Sequence, residues 1–488
     1  MAVFQHRLQP GLYRDSVTLM QLAARLAAQP GVRQAIALMA TPANRETLAG
    51  SGWPFADAPF KPDDLLLAVE APTDAEALAA LDWAEAELHR PATVKSASTE
   101  TSQQPHHTLA DGLLSLPQTN LVSISVPGEY AYAEALKAIK AGRHVFLFSS
   151  GVTLEDEARL KHMAAVRGLL MMGAECGTGL IAGVPLGFAN AVRRGSIGLV
   201  AASGSGLQEV MCLIHNWGGG ISHAIGVGGR DLHESVGGIT TLAALNLLQA
   251  DAETAVIVLL SKPPAPQVAE RVLAEVAQLT KPCVVAFLGP FQMDGVKVVS
   301  TLEEAAQAAL TLIGLTPPPS ALPRLPRVQP PRLFVRGLFA GGTLCAEATQ
   351  ILSTAGPVVT SMVAETFPAS HLCLDLGDEG YTRGRPHPMI DARLRIEKMR
   401  QAADDSQTAV VLFDILLGYG ASPDPVGPLL DVIRADAVGP VYIAHVCGTD
   451  ADSQNLQQQE RRLREAGVWA APTNAAAARL ALEVIQHD

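Results

Sequence analysis

The sequence predicts an α/β protein built from parallel, doubly wound sheets, and three observations carry that prediction. Short apolar strands alternate with helical patterns along most of the chain, as in βαβ units. The second half is written twice. Each copy opens with a Gly-rich strand-to-helix turn: Ala201-Ala202-Ser203-Gly204-Ser205-Gly206 in the first, Phe339-Ala340-Gly341-Gly342-Thr343 in the second. Later landmarks keep the same order: Val227-Gly228-Gly229 answers to Leu376-Gly377-Asp378, and Thr254-Ala255-Val256 to Thr408-Ala409-Val410. Lys281-Pro282-Cys283 answers to Gly439-Pro440-Val441, and Gly295-Val296 to Gly467-Val468.

From the N-terminus, strands are predicted at 11–13, 33–40 and 65–69, with helices at 19–28, 44–48 and 75–88. Residues from about 91 to 118 lack apolar periodicity and carry Ser, Thr, Gln and His107, which marks a flexible surface loop. Alternation resumes with strands at 121–126, 144–148 and 169–172 and helices at 131–141 and 155–167. Residues 316–331 are rich in proline and read as an extended linker between the copies. The expected units are an N-terminal domain over 1–192, a first duplicated domain over 193–315, and a second over 332–488.

Thirty-six Lys and Arg against 48 Asp and Glu give a net charge of −12, which argues against nucleic acid or an anionic membrane as partner. No signal-peptide core follows the N-terminus, and apolar runs such as 254–260 fall far short of the ~20 residues that span a bilayer. A cytoplasmic location is expected. The six cysteines form no C-x-x-C pair and read as buried free thiols, Cys176 and Cys447 lying beside glycines. His215, His223 and His233 lack metal-ligand spacing, so no metal is assigned.

A Gly-rich turn opening a helix points backbone N–H groups and a positive helix end at one spot, which suits an anion. Ser203, Gly204, Ser205 and Gly206 from one copy, with Gly341, Gly342 and Thr343 from the other, are therefore the candidate phosphate clamp. Gly228-Gly229-Arg230 follows a strand and brings Arg230 toward an anion at the strand ends; a surface turn is the plainer alternative. Arg383, Arg385 and His387 lie in a Gly/Pro-punctuated loop. Arginine there pairs with a substrate carboxylate and His387 handles a proton, or the loop docks a partner subunit. Asp414 and His445 each end a strand, positions suited to orienting an amide or to a purely structural bond.

These features resemble the NDP-forming acyl-CoA synthetases, above all succinyl-CoA synthetase. Ala202–Gly206 is similar to that family's S-R-S-G-T turn, Ala340-Gly341-Gly342 to N-G-A-G, and Leu374-Asp375-Leu376-Gly377 to L-D-L-G. The resemblance implies a Rossmann-like CoA-binding-type domain followed by two flavodoxin-like ligase domains, with Asp375 and Gly377 beside the ligand. The match is closer to the FdrA-type family, which fuses both ligase halves in one chain. Its signatures are similar to Val184-Pro185-Leu186-Gly187-Phe188-Ala189-Asn190, Gly226-Val227-Gly228-Gly229-Arg230-Asp231-Leu232 and Gly384-Arg385-Pro386-His387-Pro388-Met389-Ile390-Asp391.

Succinyl-CoA synthetase carries phosphate on a histidine in a G-H-A-G-A loop. That loop belongs after strand 284–288, where this chain reads Gly289-Pro290-Phe291-Gln292-Met293-Asp294-Gly295, without histidine. No ATP-grasp domain and no G-x-x-x-x-G-K-[ST] loop is present to charge one. The first βα turn, Tyr13-Arg14-Asp15-Ser16-Val17-Thr18, has no glycine, which argues against CoA or a nucleotide there, and no cofactor is assigned. Within the FdrA-type family the resemblance implies a subunit of an oxamate carbamoyltransferase in allantoin breakdown. Its ligands would be phosphate or carbamoyl phosphate and a small amide or ureido acid, and its partners other subunits. An acyl-CoA synthetase component needing a separate ATP-grasp chain, or a non-catalytic anion-binding scaffold, stays open.

Overall fold

The structure is a computed structural model that describes residues 3–50, 53–55, 60–90, 106–319, 322–323, 325, 331–361, 366–382, 386–433 and 439–485. Four sheets follow one another along the chain. The first unit runs β1 (Val3–Gln9), α1 (Ser16–Ala27), β2 (Gln34–Met39), α2 (Pro42–Gly50), β3 (Leu65–Ala71) and α3 (Asp74–His89). Its sheet is antiparallel, with β3 between β1 and β2. This corrects the parallel arrangement expected of these residues and removes them from a Rossmann-like domain. The physical reason is that β3 is covered on both faces, by α1 and α3 on one side and by a cluster around Trp53 and Phe60 on the other. A doubly covered central strand reads as a continuous apolar run whichever way its neighbours point.

The second unit comprises α4 (Leu109–Ser115), β4 (Leu121–Ile124), α5 (Gly128–Lys140), β5 (His144–Leu147), α6 (Leu154–Val166) and β6 (Met171–Met172). Its three strands are parallel. The predicted loop at 91–118 is corrected in part. Thr108 accepts the N–H of Asp111 and caps α4, while residues 91–105 lie outside the described ones.

The third unit adds β7 (Thr178–Ile181), β8 (Val184–Gly187), β9 (Arg194–Ala201), α7 (Gly204–Asn216), β10 (Ile221–Gly226), α8 (Ile239–Ala250), β11 (Val256–Ser261), α9 (Pro266–Val276), β12 (Cys283–Phe287), β13 (Lys297–Val299) and α10 (Leu302–Leu312). Its seven strands run β13-β12-β11-β9-β10-β7-β8. The hairpin β7–β8 therefore pairs with the first duplicated sheet rather than with the N-terminal domain assigned to it. Ala182 and Gly183 both adopt positive φ, the backbone a two-residue hairpin turn needs.

The fourth unit holds β14 (Phe334–Phe339), α11 (Gly342–Leu352), β15 (Val358–Val359), β16 (His371–Asp375), α12 (Glu379–Thr382), α13 (Arg393–Asp404), β17 (Thr408–Leu416), α14 (Gly427–Leu430), β18 (Val441–Cys447), α15 (Leu456–Glu465), β19 (Trp469–Ala471) and α16 (Asn474–Ile485). Its order β15-β16-β14-β17-β18-β19 repeats five strands of the third unit, β16-β14-β17-β18-β19 answering to β10-β9-β11-β12-β13, while the parallel β15 stands at the edge where the third unit has the antiparallel hairpin β7–β8. Over those five strands the second in chain order flanks the first and the third to fifth follow on the other side, the flavodoxin-like order. Much of the predicted linker lies outside the described residues.

One apolar core joins the copies, drawing Val210, Leu213 and Leu310 from one and Leu344, Leu480 and Val484 from the other. Polar groups inside it interlock reciprocally. Glu209 and Glu347 stand five positions into α7 and α11, counted from Gly204 and Gly342. Glu347 accepts the first N–H of α10, from Leu302, at 2.7 Å, and Glu209 accepts the first N–H of α16, from Asn474, at 3.3 Å. Each copy thus supplies the carboxylate that caps the other's last helix.

Candidate functional site

The two Gly-rich turns face each other across this interface. Ser203 caps α7 by accepting the Gly206 N–H at 2.9 Å, and its hydroxyl lies 2.5 Å from that of Thr343. Ser205 Oγ accepts the Thr343 N–H at 3.1 Å. The turns come so close that a Cβ on Gly341 would stand 2.9 Å from Ser205 Cβ. Ser203, Gly204, Ser205 and Gly206 are thereby brought together with Gly341, Gly342 and Thr343, but as touching surfaces rather than the jaws of an open clamp.

Asp414, fully buried within β17, which continues past it to Leu416, fills the second turn. Its two oxygens accept the N–H groups of Ala340 and Gly341 at 2.8 and 2.7 Å. Arg395, reaching in from α13, pairs with the same carboxylate at 2.9 Å and also donates to its backbone carbonyl. An internal, neutralised carboxylate occupies the place where a ligand oxygen was expected. Sequence reading did not single out Arg395, because a helix-borne arginine is ordinarily solvent-facing.

Beside this pair lie Asp375, Gly377 and His387. Asp375 Oδ1 accepts the Gly377 N–H at 3.1 Å, and burial raises the Asp375 carboxyl while Lys262 pulls it back. A Cβ on Gly377 would come within 2.6 Å of His387 Nε2, so the histidine packs against the backbone there. Burial first, and then the charge of Arg395, lowers His387 to about 4. Its Nδ1 accepts the N–H of Met389 at 3.2 Å. A neutral ring that accepts at Nδ1 carries its proton on Nε2, so His387 offers a hydrogen-bond donor to this region. Phe188 lies over it at a ring distance of 6.3 Å. The Phe188-Ala189-Asn190 segment is tied down next to it, with Asn190 donating to Leu417 O and to Asp452. Arg385 lies outside the described residues.

Arg230 is elsewhere. Its guanidinium holds Glu157 of α6 at 2.7 Å and donates to Val152 O at 2.9 Å, with Glu175 at 3.6 Å. Next to it, Asp231 accepts from Lys161 and from the N–H groups of Thr240 and Thr241. The turn Gly228-Gly229-Arg230-Asp231 thus docks the second unit onto the third and caps α8. His445 is likewise buried and spoken for. Its Nε2 meets Glu209 at 2.7 Å and its Nδ1 faces Ala471 O at 3.1 Å. Burial alone would lower this ring, but the Glu209 charge and hydrogen bonds override it and hold it at about 9.

Lys262 was missed by sequence reading. It follows β11 at the carboxyl end of the first duplicated sheet, where doubly wound folds place their ligands, and its Nζ lies 3.8 Å from Asp375 across the interface. A lysine directly after a run of apolar strand residues, Val256–Ser261, was the available signal.

Three family descriptions match the chain: "AllF, heavy metal-associated domain" over residues 1–105, "CoA binding domain" over 192–289 and "CoA-ligase" over 338–484. The first of these names a metal-associated fold, yet residues 1–105 contain no cysteine and only His6 and His89. His6 packs on Phe55 and Phe60, and burial lowers it. These residues do not fit a thiolate metal site. No group of three or more metal-ligating side chains stands together among the described residues. The chain is 37% identical to the uncharacterized protein YahF of Escherichia coli over 98% of both. It is 25% identical to the ADP-forming sulfoacetate-CoA ligase subunit SauD of Bilophila wadsworthia, over 38% of this chain and 64% of that subunit. The dinucleotide-forming acetyl-coenzyme A synthetase 1 of Ca. Korarchaeum cryptofilum aligns with a TM-score of 0.33 at 16% identity, covering 75% of this chain and 82% of that one. No helix among the described residues is long and apolar enough to cross a membrane.

Proposed function

From the membership of this chain in the FdrA-type family, shown by its full-length similarity to YahF and by its AllF-type, CoA-binding and CoA-ligase segments, we propose that it is a subunit of a carbamoyl-transferring enzyme. The reaction is that of oxalurate and phosphate giving oxamate and carbamoyl phosphate. One observation carries the reading. An AllF-type N-terminal domain is joined to ligase halves whose loop after β12, Gly289–Gly295, holds no histidine to carry phosphate.

Transfer then proceeds directly. A phosphate oxygen attacks the ureido carbonyl carbon, the bond to the oxamate nitrogen breaks, and that nitrogen takes up the proton that phosphate gives up. The polypeptide supplies position and charge rather than a covalent intermediate. Near the joined turns, Lys262 favours the phosphate, and Asp375 favours an N–H. The Nε2–H of His387 suits the carbonyl oxygen as it gains charge. Arg385 remains the proposed carboxylate partner, while Arg230 is proposed only as the residue that docks the second unit. Partner subunits are part of the proposal, in keeping with relatives that are themselves named as subunits.

A second reading is a component of an acyl-CoA synthetase with a separate ATP-grasp chain, favoured by the matches to CoA-binding and CoA-ligase descriptions. The test is to incubate the purified protein, alone and with the products of neighbouring genes, with oxamate and carbamoyl phosphate. Coupled release of phosphate and formation of oxalurate supports carbamoyl transfer. Absence of both in every combination, with thioester formed from CoA and ATP instead, overturns it for the second reading.

A further inference from the structure

A cavity of about 550 Å³ opens between the two duplicated halves, within the range of small-molecule pockets. The first half contributes strand ends, Lys262 and Pro263 after β11 and Gly289 after β12. The second half contributes Gly342 and Cys345 from the opening turns of α11, and Asp375 from the end of β16. The lining carries one charge of each sign. Lys262 Nζ and Asp375 Oδ2 stand 3.8 Å apart, too far for a full hydrogen bond, so each retains capacity for a closer partner.

The start of α11 differs from that of α7. Ser203 caps α7 with its side chain, whereas the N-cap of α11 is Gly341, with no side-chain cap and no acidic residue in the first turn. Asp414 and Ser205 already take the Gly341 and Thr343 N–H groups there, so the preference for an anion at this wall rests on Lys262. Gly342 makes the convergence possible, because a Cβ there would stand 2.2 Å from Asp375 Oδ2 and 3.0 Å from Lys262 Nζ. One end of the cavity favours an anion, and the carboxylate of Asp375, largely withdrawn from water, favours a hydrogen-bond donor.

We propose that this cavity binds a small anion that also carries a carbamoyl or amide N–H, with Lys262 taking the anionic group and Asp375 the N–H. The choice of ligands rests on the carbamoyl-transfer reading; the two-signed geometry does not. Offered singly, oxamate places its carboxylate and carbamoyl phosphate its phosphate on Lys262; when both are bound the phosphate takes Lys262, as in the transfer step above. Pyruvate is the discriminating control, since it matches oxamate but puts a methyl group where the amide nitrogen stands.

The experiment is titration calorimetry of the full chain with oxamate, carbamoyl phosphate and pyruvate, on wild type, Lys262→Met, Asp375→Asn and Ala346→Phe. Ala346 lines the cavity on α11 and carries no charge, so a phenylalanine there narrows the space while both charged residues are kept. Thermal melting of each variant shows that it is folded. The expected result is that oxamate or carbamoyl phosphate binds, with oxamate favoured over pyruvate by about tenfold or more. Lys262→Met weakens binding at least about tenfold, Ala346→Phe weakens it as well, and Asp375→Asn brings the oxamate-to-pyruvate ratio toward one. Equal binding of oxamate and pyruvate by the wild type, or wild-type binding by folded Lys262→Met and Ala346→Phe, overturns the proposal. Binding that depends on Lys262 without turnover in any subunit combination sinks the carbamoyl-transfer reading and keeps the pocket. Carbamoyl transfer indifferent to Lys262 and Ala346 does the reverse.

Discussion

Replacing Glu209 with Gln removes the counter-charge of a buried imidazolium while preserving the oxygen that accepts the Asn474 N–H. His445 is held at about 9 against an ordinary value of 6.5. At ~1.4 kcal/mol per pH unit that difference corresponds to roughly 3 kcal/mol, with no discount for solvent because both side chains are buried. The fold favours the protonated ring, so this stabilisation is complete below about pH 6.5 and is lost as pH rises through about 9. The Glu209→Gln variant should therefore melt about 6–12 °C below wild type near pH 6, taking ~2–4 °C per kcal/mol for domains of this size. By about pH 10 the two melting curves should converge. Scanning calorimetry across that range reads the difference directly. A loss of equal size at both ends of the range, or none near pH 6, would refute the assignment of a charged pair between the halves.

Burial pushes the Glu347 carboxyl up to about 7, so it too stabilises the fold on the acid side, fully below about pH 4.5 and no longer above 7. Glu347→Gln should flatten wild-type melting over that window, checked in the same calorimeter. Asp414→Asn leaves Arg395 buried without its charge partner and should cost about 3–5 kcal/mol, measured by chemical denaturation of the full chain. A double-mutant cycle of Ser203→Ala and Thr343→Val should give a coupling of about 0.5–1.5 kcal/mol, and a coupling near zero would mean the hydroxyls do not bridge the turns in solution.

The repeat was legible because matched glycines, prolines and strand starts recur in one order, and that order was enough to anticipate two related sheets, which share a five-strand connectivity. Strand direction in the first unit was not legible, since β3 is apolar on both faces and nothing in its composition records how β1 and β2 run. At the site, the glycine turns were visible from residue type and place, and Asp375 through the resemblance of Leu374-Asp375-Leu376-Gly377 to L-D-L-G. The occupation of one turn by Asp414 was not, because it requires Arg395, nineteen positions earlier, to arrive on the same carboxylate. Arg230 misled for a related reason. Its partner Glu157 lies in another unit, seventy-three positions away, and charge alone does not distinguish a docking arginine from a ligand-binding one.

The exchange of glutamates between α7 and α11 is the contact pattern of an isologous dimer, in which residue i of one subunit meets residue j of the other and j meets i. Here both subunits are written in one polypeptide, and the symmetry has begun to decay. Aligned by their shared prolines, the copies put Phe287 in the first where the second has His445, so only Glu209 meets an imidazole. A fused dimer of this kind owes its cohesion to the interface and uses the connecting peptide to keep the concentration of one half high around the other. Expressed as two polypeptides divided between residues 316 and 331, the halves should find each other and co-purify, and each is then open to divergence without a second copy that must change in step.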